Sequence, residues 1–90
     1  PEQAANWQMC GESLIHLKRL AEAEPYLHKA LELSPQSVET LVNLSQVLSA
    51  KGEMERAIEY IKKALNVDPK NQQARSMQWK LQRSKIKVIK

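Results

Sequence analysis

The side chains with the widest chemical reach in this sequence are Cys10, His16 and His28, its one thiol and two imidazoles. A zinc or haem site needs such ligands at short spacings, about two to five residues, so that they converge on one point. Cys10 and His16 are six apart, more than a turn and a half of helix, which turns them to different sides. His28 belongs to another segment. The carboxylates are equally scattered: Glu22, Glu24 and Glu32 fall in one stretch, Glu53, Glu55 and Glu59 in another. None can be matched with a serine and a histidine for nucleophilic catalysis, and no glycine-rich loop exists to cradle a phosphate. The sequence therefore predicts no enzyme, no metal and no cofactor. Cys10 reads as a small core residue beside Gly11. Glu59 and Lys63, four apart, read as helix support that the like-charged pair Glu55 and Glu59 opposes.

Without reactive groups, the remaining chemistry is that of a surface, and helices must present it. Ala, Leu, Glu, Lys and Gln dominate the 90 residues, and the chain has two glycines and no phenylalanine, a balance that favours helix over sheet. Apolar residues recur every three or four positions in five stretches. The first contains Trp7, Cys10, Leu14 and Leu17; the second Leu20, Ala23, Leu27, Ala30, Leu31 and Leu33. Leu41, Leu44, Val47 and Leu48 form a third. Met54, Ala57, Ile58, Ile61, Ala64, Leu65 and Val67 form a fourth, and Ala74, Met77, Trp79 and Leu81 a fifth. Pro35 and Pro69, which lack an amide donor, mark joints, Gly52 marks a tight turn, and Asn71 is placed to cap the last helix. Pro25 lies beyond a first turn, so its helix either starts late or bends near Ala21 and Glu22.

The stretch HKALELSP, residues 28–35, is echoed by KKALNVDP, residues 62–69. Residues 4–37 align without a gap on residues 38–71, pairing Leu14 with Leu48, Ala23 with Ala57, Tyr26 with Tyr60 and Pro35 with Pro69. Lys29, Ala30 and Leu31 likewise pair with Lys63, Ala64 and Leu65. Ala23, Ala30, Ala57 and Ala64 let helix backbones approach closely where longer side chains would force them apart, and Gly11 and Ser45 can do the same. The period predicts a duplicated helical hairpin.

This pattern resembles the tetratricopeptide repeat. The first unit carries it as Trp7, Cys10 in place of a leucine, Gly11, Leu14, Ala23, Leu27, Ala30 and Pro35. The second carries it as Leu41, Leu44, Ser45 in place of the glycine, Leu48, Gly52, Ala57, Ile61, Ala64 and Pro69. The resemblance implies an all-α, right-handed superhelical array of antiparallel helix pairs with a concave inner face. Here that means pairs at 4–37 and 38–71, a capping helix over 72–84 in which Ala74, Met77 and Leu81 cover the second pair, and a basic tail over 85–90. In the third unit Arg75, Gln78 and Trp79 replace Trp7, Cys10 and Gly11, so a truncated third repeat is the alternative to a cap.

By the same resemblance, the first helix of each pair lines the inner face. The expected lining is Ala5, Gln8, Met9, Glu12 and His16, then Glu39, Val42, Asn43, Gln46 and Ala50, then Gln73, Ser76, Met77, Lys80 and Arg83. This mixture of amide, acidic and small apolar groups suits an extended or helical peptide better than a small metabolite. One branch of the family clamps acidic chaperone tails with two lysines, two asparagines and an arginine. The matching positions are Gln8, Glu12, Asn43, Gln73 and Met77. Only Asn43 fits, and Glu12 repels a carboxylate, so no chaperone tail is expected here.

The net charge of +4 is uneven, because residues 70–90 carry seven bases and no acid. Arg83, Lys85, Lys87 and Lys90 in the tail suggest a solvated terminus or an acidic protein partner. The alternation from Lys85 onward is closer to an extended edge than to a helix. Nucleic acid is disfavoured because no stacking aromatics accompany the charge, and no stretch is apolar enough to insert in a membrane. The sequence thus predicts a cytoplasmic, non-catalytic module for protein binding. The alternative is self-association into a homo-oligomer through the repeat ends, at Trp7 and Met9 on one side and Trp79 and Leu81 on the other.

Overall fold

The computed structural model describes the backbone of residues 2–87 and the side chains of residues 3–83. Five helices follow one another: α1 (Glu2–His16), α2 (Leu20–Leu33), α3 (Val38–Ala50), α4 (Met54–Val67) and α5 (Gln72–Lys87). No strand occurs among the described residues.

The 34-residue period is written in the backbone hydrogen bonds of the joints. α1 ends with Arg19 N donating to Leu14 O at 2.8 Å and Lys18 N to Ile15 O at 2.9 Å. α3 ends in the same way, with Glu53 N to Leu48 O at 2.9 Å and Gly52 N to Ser49 O at 3.1 Å. This paired closure requires one left-handed residue, and Lys18 (φ 63°) and Gly52 (φ 90°) supply it. The proline joints also match. Ser37 N donates to Ser34 O and Asn71 N to Asp68 O, both at 3.1 Å, with Pro35 and Pro69 at the second turn position that proline favours. Each turn then delivers a cap: Thr40 N donates to Ser37 Oγ at 3.3 Å and Ala74 N to Asn71 Oδ1 at 2.9 Å.

α2 begins at Leu20 and runs through Pro25 to Leu33, so the late start considered for that helix does not occur. α5 continues to Lys87, past the expected end at Ser84 and through the start of the stretch expected to be extended. A lone strand there has no neighbour for its amides and carbonyls, whereas a helix satisfies them internally. Residues 88–90 lie outside the described residues.

The molecule measures 45 × 28 × 17 Å, and its shortest dimension has room for two layers of helix. The apolar residues accordingly form two clusters along the array. Ala23, Leu27, Leu44 and Val47 close the first pair against α3. Leu41, Leu48, Ala57, Ile61, Ala64, Ala74 and Leu81 hold α3, α4 and α5 together. Leu31 and Tyr60 touch both clusters. α3 serves both and is the most buried helix, which leaves Glu39, Asn43 and Gln46 one outlet, on the side away from α2 and α4.

The close-approach positions behave as the small residues require. Ala23, Ala30, Ala57 and Ala64 are fully buried. A Cβ on Gly11 would lie 2.6 Å from Leu27 Cδ2. The apolar lines break at Cys10, Leu17, Leu33, Val67 and Trp79, all of them exposed. Cys10 is exposed, because the face it shares with Met9 has no helix packed over it. Trp79 is 62% exposed and is not part of the apolar face of α5.

Candidate binding groove

The first helix of each pair and α5 lie side by side, and their outward rows bound a groove of about 580 Å³. α1 contributes Gln8, Glu12, Ile15 and His16; α3 contributes Glu39, Val42, Asn43 and Gln46. α5 closes the far side with Gln72, Gln73, Ser76, Met77 and Lys80. The rows follow from helix geometry, since residues three and four apart share a face. They are polar because the opposite faces of the same helices already bury Leu44, Val47, Ala74 and Leu81.

The charge in the groove is graded. Glu12 and Glu39 make the α1–α3 side acidic, and Lys80 supplies the cation on the α5 side. Between them Asn43, Gln46 and Gln73 offer amides that both donate and accept. Among the groove-lining residues, Gln8 Nε2 of α1 donates to Glu39 Oε1 of α3 at 2.9 Å. Val42 is 8% exposed, and Met77 packs against the second apolar cluster, so the floor is apolar while the walls are wet. Among the described residues no group of three metal-ligating side chains converges.

The structure brings together Gln8, Glu12, His16, Glu39, Val42, Asn43, Gln46, Gln73, Ser76, Met77 and Lys80. Met9, Ala5, Ala50 and Arg83 do not line the groove. Met9 instead borders a separate apolar hollow of about 570 Å³ with Asn6, Cys10, Ser13, Leu14 and Tyr26. Ile15 and Gln72 were not anticipated. Ile15 follows Glu12 by three positions and Gln72 precedes Ser76 by four, so extending each row by one step would have found them.

The residues proposed for the array ends also separate. Trp7 is half-buried, its ring 5.6 Å from that of Tyr26. Trp79 is exposed, with the Arg83 guanidinium 5.8 Å from its ring centroid. Leu81 is 1% exposed within the second cluster, so it covers the second pair and is not available to another copy. Lys85 and Lys87 lie on the last turn of α5, and Lys90 lies outside the described residues.

The chain is 32% identical over 69 residues to BBSome complex member BBS4 of Mus musculus, across 73% of this chain and 13% of that protein. It is 34% identical over 64 residues to Protein CTR9 homolog of Arabidopsis thaliana, across 71% of this chain and 6% of that protein. It therefore spans a small fraction of the length of these relatives. The solved tetratricopeptide repeat domain of Sgt2 from Aspergillus fumigatus superposes with a TM-score of 0.85 at 26% identity, over 90% of this chain and 54% of that one. Such domains are non-catalytic scaffolds for protein–protein interaction. The family's repeat model matches residues 14–81, and with the superposition and the shared 34-residue joints, the chain belongs to the tetratricopeptide repeat family.

Proposed function

We propose that the groove between α1, α3 and α5 holds a segment of a partner polypeptide in extended or helical form. The observation that carries this reading is the convergence of amides, carboxylates and one lysine over an apolar floor in a single trough. Asn43, Gln46 and Gln73 can pair with peptide N–H and C=O groups, Met77 and Val42 offer apolar contact, and the gradient from Glu12 and Glu39 to Lys80 orients the segment. A basic side chain belongs at the acidic side and an acidic one near Lys80. The name of one relative, a member of a complex, agrees with a role in assembly. Acidic chaperone tails are not the ligand in this reading, because Glu12, Gln73 and Met77 stand where such a tail needs cations and donors.

A displayed peptide library tests the proposal. Selected peptides should lose about tenfold or more in affinity on Asn43→Ala or Gln46→Ala, and keep it on Trp79→Ala. Selection of peptides whose binding ignores every groove substitution would refute it.

A second reading, assembly of copies through the open ends, is favoured by the apolar hollow beside Met9 and by Met9 and Leu17 themselves, 62% and 64% exposed. Sedimentation distinguishes the two. A constant mass near 10.3 kDa across concentrations removes the second reading.

A further inference from the structure

Positions 11, 45 and 79 are equivalent in the 34-residue register, and they hold Gly, Ser and Trp. At the first, a methyl group would already meet Leu27 of α2 at 2.6 Å. At the second, Ser45 is fully buried. This is the face on which α2 closes over α1 and α4 over α3. On α5 the same face carries a 62% exposed indole, which no helix at the repeat's own distance could accommodate. The neighbouring register positions change in the same sense. Leu41 and Leu48, both buried against α4, correspond to Arg75 and Gln82.

Arg75, Trp79 and Arg83 follow one another at four-residue steps, so they form a stripe about 12 Å long on one side of the helix. All three are exposed, and the Arg83 guanidinium lies 5.8 Å from the indole centroid. Neither arginine pairs with a carboxylate among the described residues. The stripe lies outside the groove, whose lining includes none of the three. Tryptophan and arginine are the residues that most often anchor interfaces, and here no acid balances them: residues 70–90 have seven bases and no acidic residue.

We infer that Arg75, Trp79 and Arg83 form a second docking surface, separate from the groove, for an acidic helix of a partner protein. Two carboxylates two turns apart on that helix meet the guanidinium forks, and an apolar side chain between them covers the indole. A helix is the fitting occupant because the equivalent faces of α1 and α3 each take one. The missing apolar knobs and the positive charge make that helix acidic and keep it farther away than α2 and α4 stand from their partners. A nucleic acid fits less well, since one aromatic cannot build the succession of stacking platforms that single strands use.

The test is calorimetric titration of the protein with an alanine-based helical peptide bearing two glutamates two turns apart and a leucine between them. Binding is expected, with a loss of about tenfold or more on Trp79→Ala and a similar loss on the double exchange Arg75→Glu with Arg83→Glu. Asn43→Ala in the groove should leave this affinity unchanged, which separates the stripe from the groove proposal. All the altered stripe side chains are exposed, and circular dichroism verifies that the variants keep their helices. The inference is overturned if the peptide does not bind, if glutamines in place of its glutamates bind equally well, or if the stripe variants bind unchanged. Tighter binding of a single-stranded oligonucleotide or an anionic vesicle through the same residues also overturns it, as does burial of Trp79 by a second copy of the chain.

Discussion

Lys18 and Gly52 occupy the same place in successive helix pairs, and both hold a left-handed backbone, φ 63° and 90°. Each is the residue at which a long helix ends and the chain reverses. Glycine adopts this conformation without a Cβ clash, whereas lysine pays about 1–2 kcal/mol for it. Lys18→Gly should therefore stabilise the fold by about 0.5–1 kcal/mol, after glycine's larger unfolded-state entropy is subtracted. Gly52→Lys should destabilise it by a similar amount. Urea denaturation midpoints check both signs.

The Gly11 and Ser45 pair gives opposite signs at equivalent sites. Gly11→Ala places a methyl group against Leu27, and the resulting overpacking outweighs the gain in helix propensity for a net loss of about 1 kcal/mol. Ser45 carries a buried hydroxyl with no hydrogen-bond partner among the described residues. Ser45→Ala removes that unsatisfied group and should stabilise by about 1 kcal/mol. Thermal unfolding of the two variants should shift in opposite directions.

Pro25 sits inside α2, where it removes the amide that would bond Ala21 and crowds that carbonyl. Its counterpart in the second pair is Glu59, at an unbroken helical position. Pro25→Ala should raise stability by about 1–3 kcal/mol and leave groove binding unchanged. A loss of stability in urea unfolding would mean that the proline sets the path of α2.

Glu24 on α2 accepts a hydrogen bond at 2.6 Å from Lys51, on the turn between α3 and α4, and lies 3.2 Å from His28. The Lys51 hydrogen bond holds the Glu24 carboxyl below its ordinary value of 4.5; burial opposes the shift and His28 assists it. A depressed carboxyl pKa stabilises the fold above the unfolded-state value, and that contribution disappears as pH falls through the folded value. Acidification below about 4.5 should therefore loosen the contact between the pairs. Lys51→Met should flatten this part of the stability profile and lower stability at neutral pH. A profile unchanged in the variant would contradict the assignment.

What could be read from the sequence was what repeats. Alanine spacing, proline joints and the Asn71 cap recur or punctuate at fixed intervals, so the five helices followed from periodicity, whereas the expected lining of the inner face came from the resemblance to the repeat family. The errors fall where a residue's setting depends on what packs over it. Cys10 has an apolar position in the pattern but no helix above it, and Leu81, expected both to cover the second pair and to serve an end-to-end interface, is buried against that pair. Met9 was placed one helical step away from the row that Gln8 and Glu12 define. Lys18 could have been recognised by aligning it with Gly52, yet its side chain gives no hint of a left-handed backbone. The Glu24–Lys51 contact joins residues 27 positions apart, a relation set by how the pairs stack and not by either local pattern.

The bond from Gln8 to Glu39 engages one carboxylate oxygen of the groove before any ligand arrives. A donor that takes Glu39 Oε1 from Gln8 displaces an amide 2.9 Å away and exchanges one bond for another, whereas Oε2, without a partner among the described residues, stays open to a further donor. A ligand that donates to Oε2 leaves the bond in place, whereas one that takes Oε1 must also satisfy the released Gln8 amide. Asn43 and Gln46 have no such prior engagement among the described residues. In the proposed binding mode, attachment therefore draws on the middle of α3 without breaking an existing bond, whereas a ligand that takes Oε1 of Glu39 exchanges one bond for another.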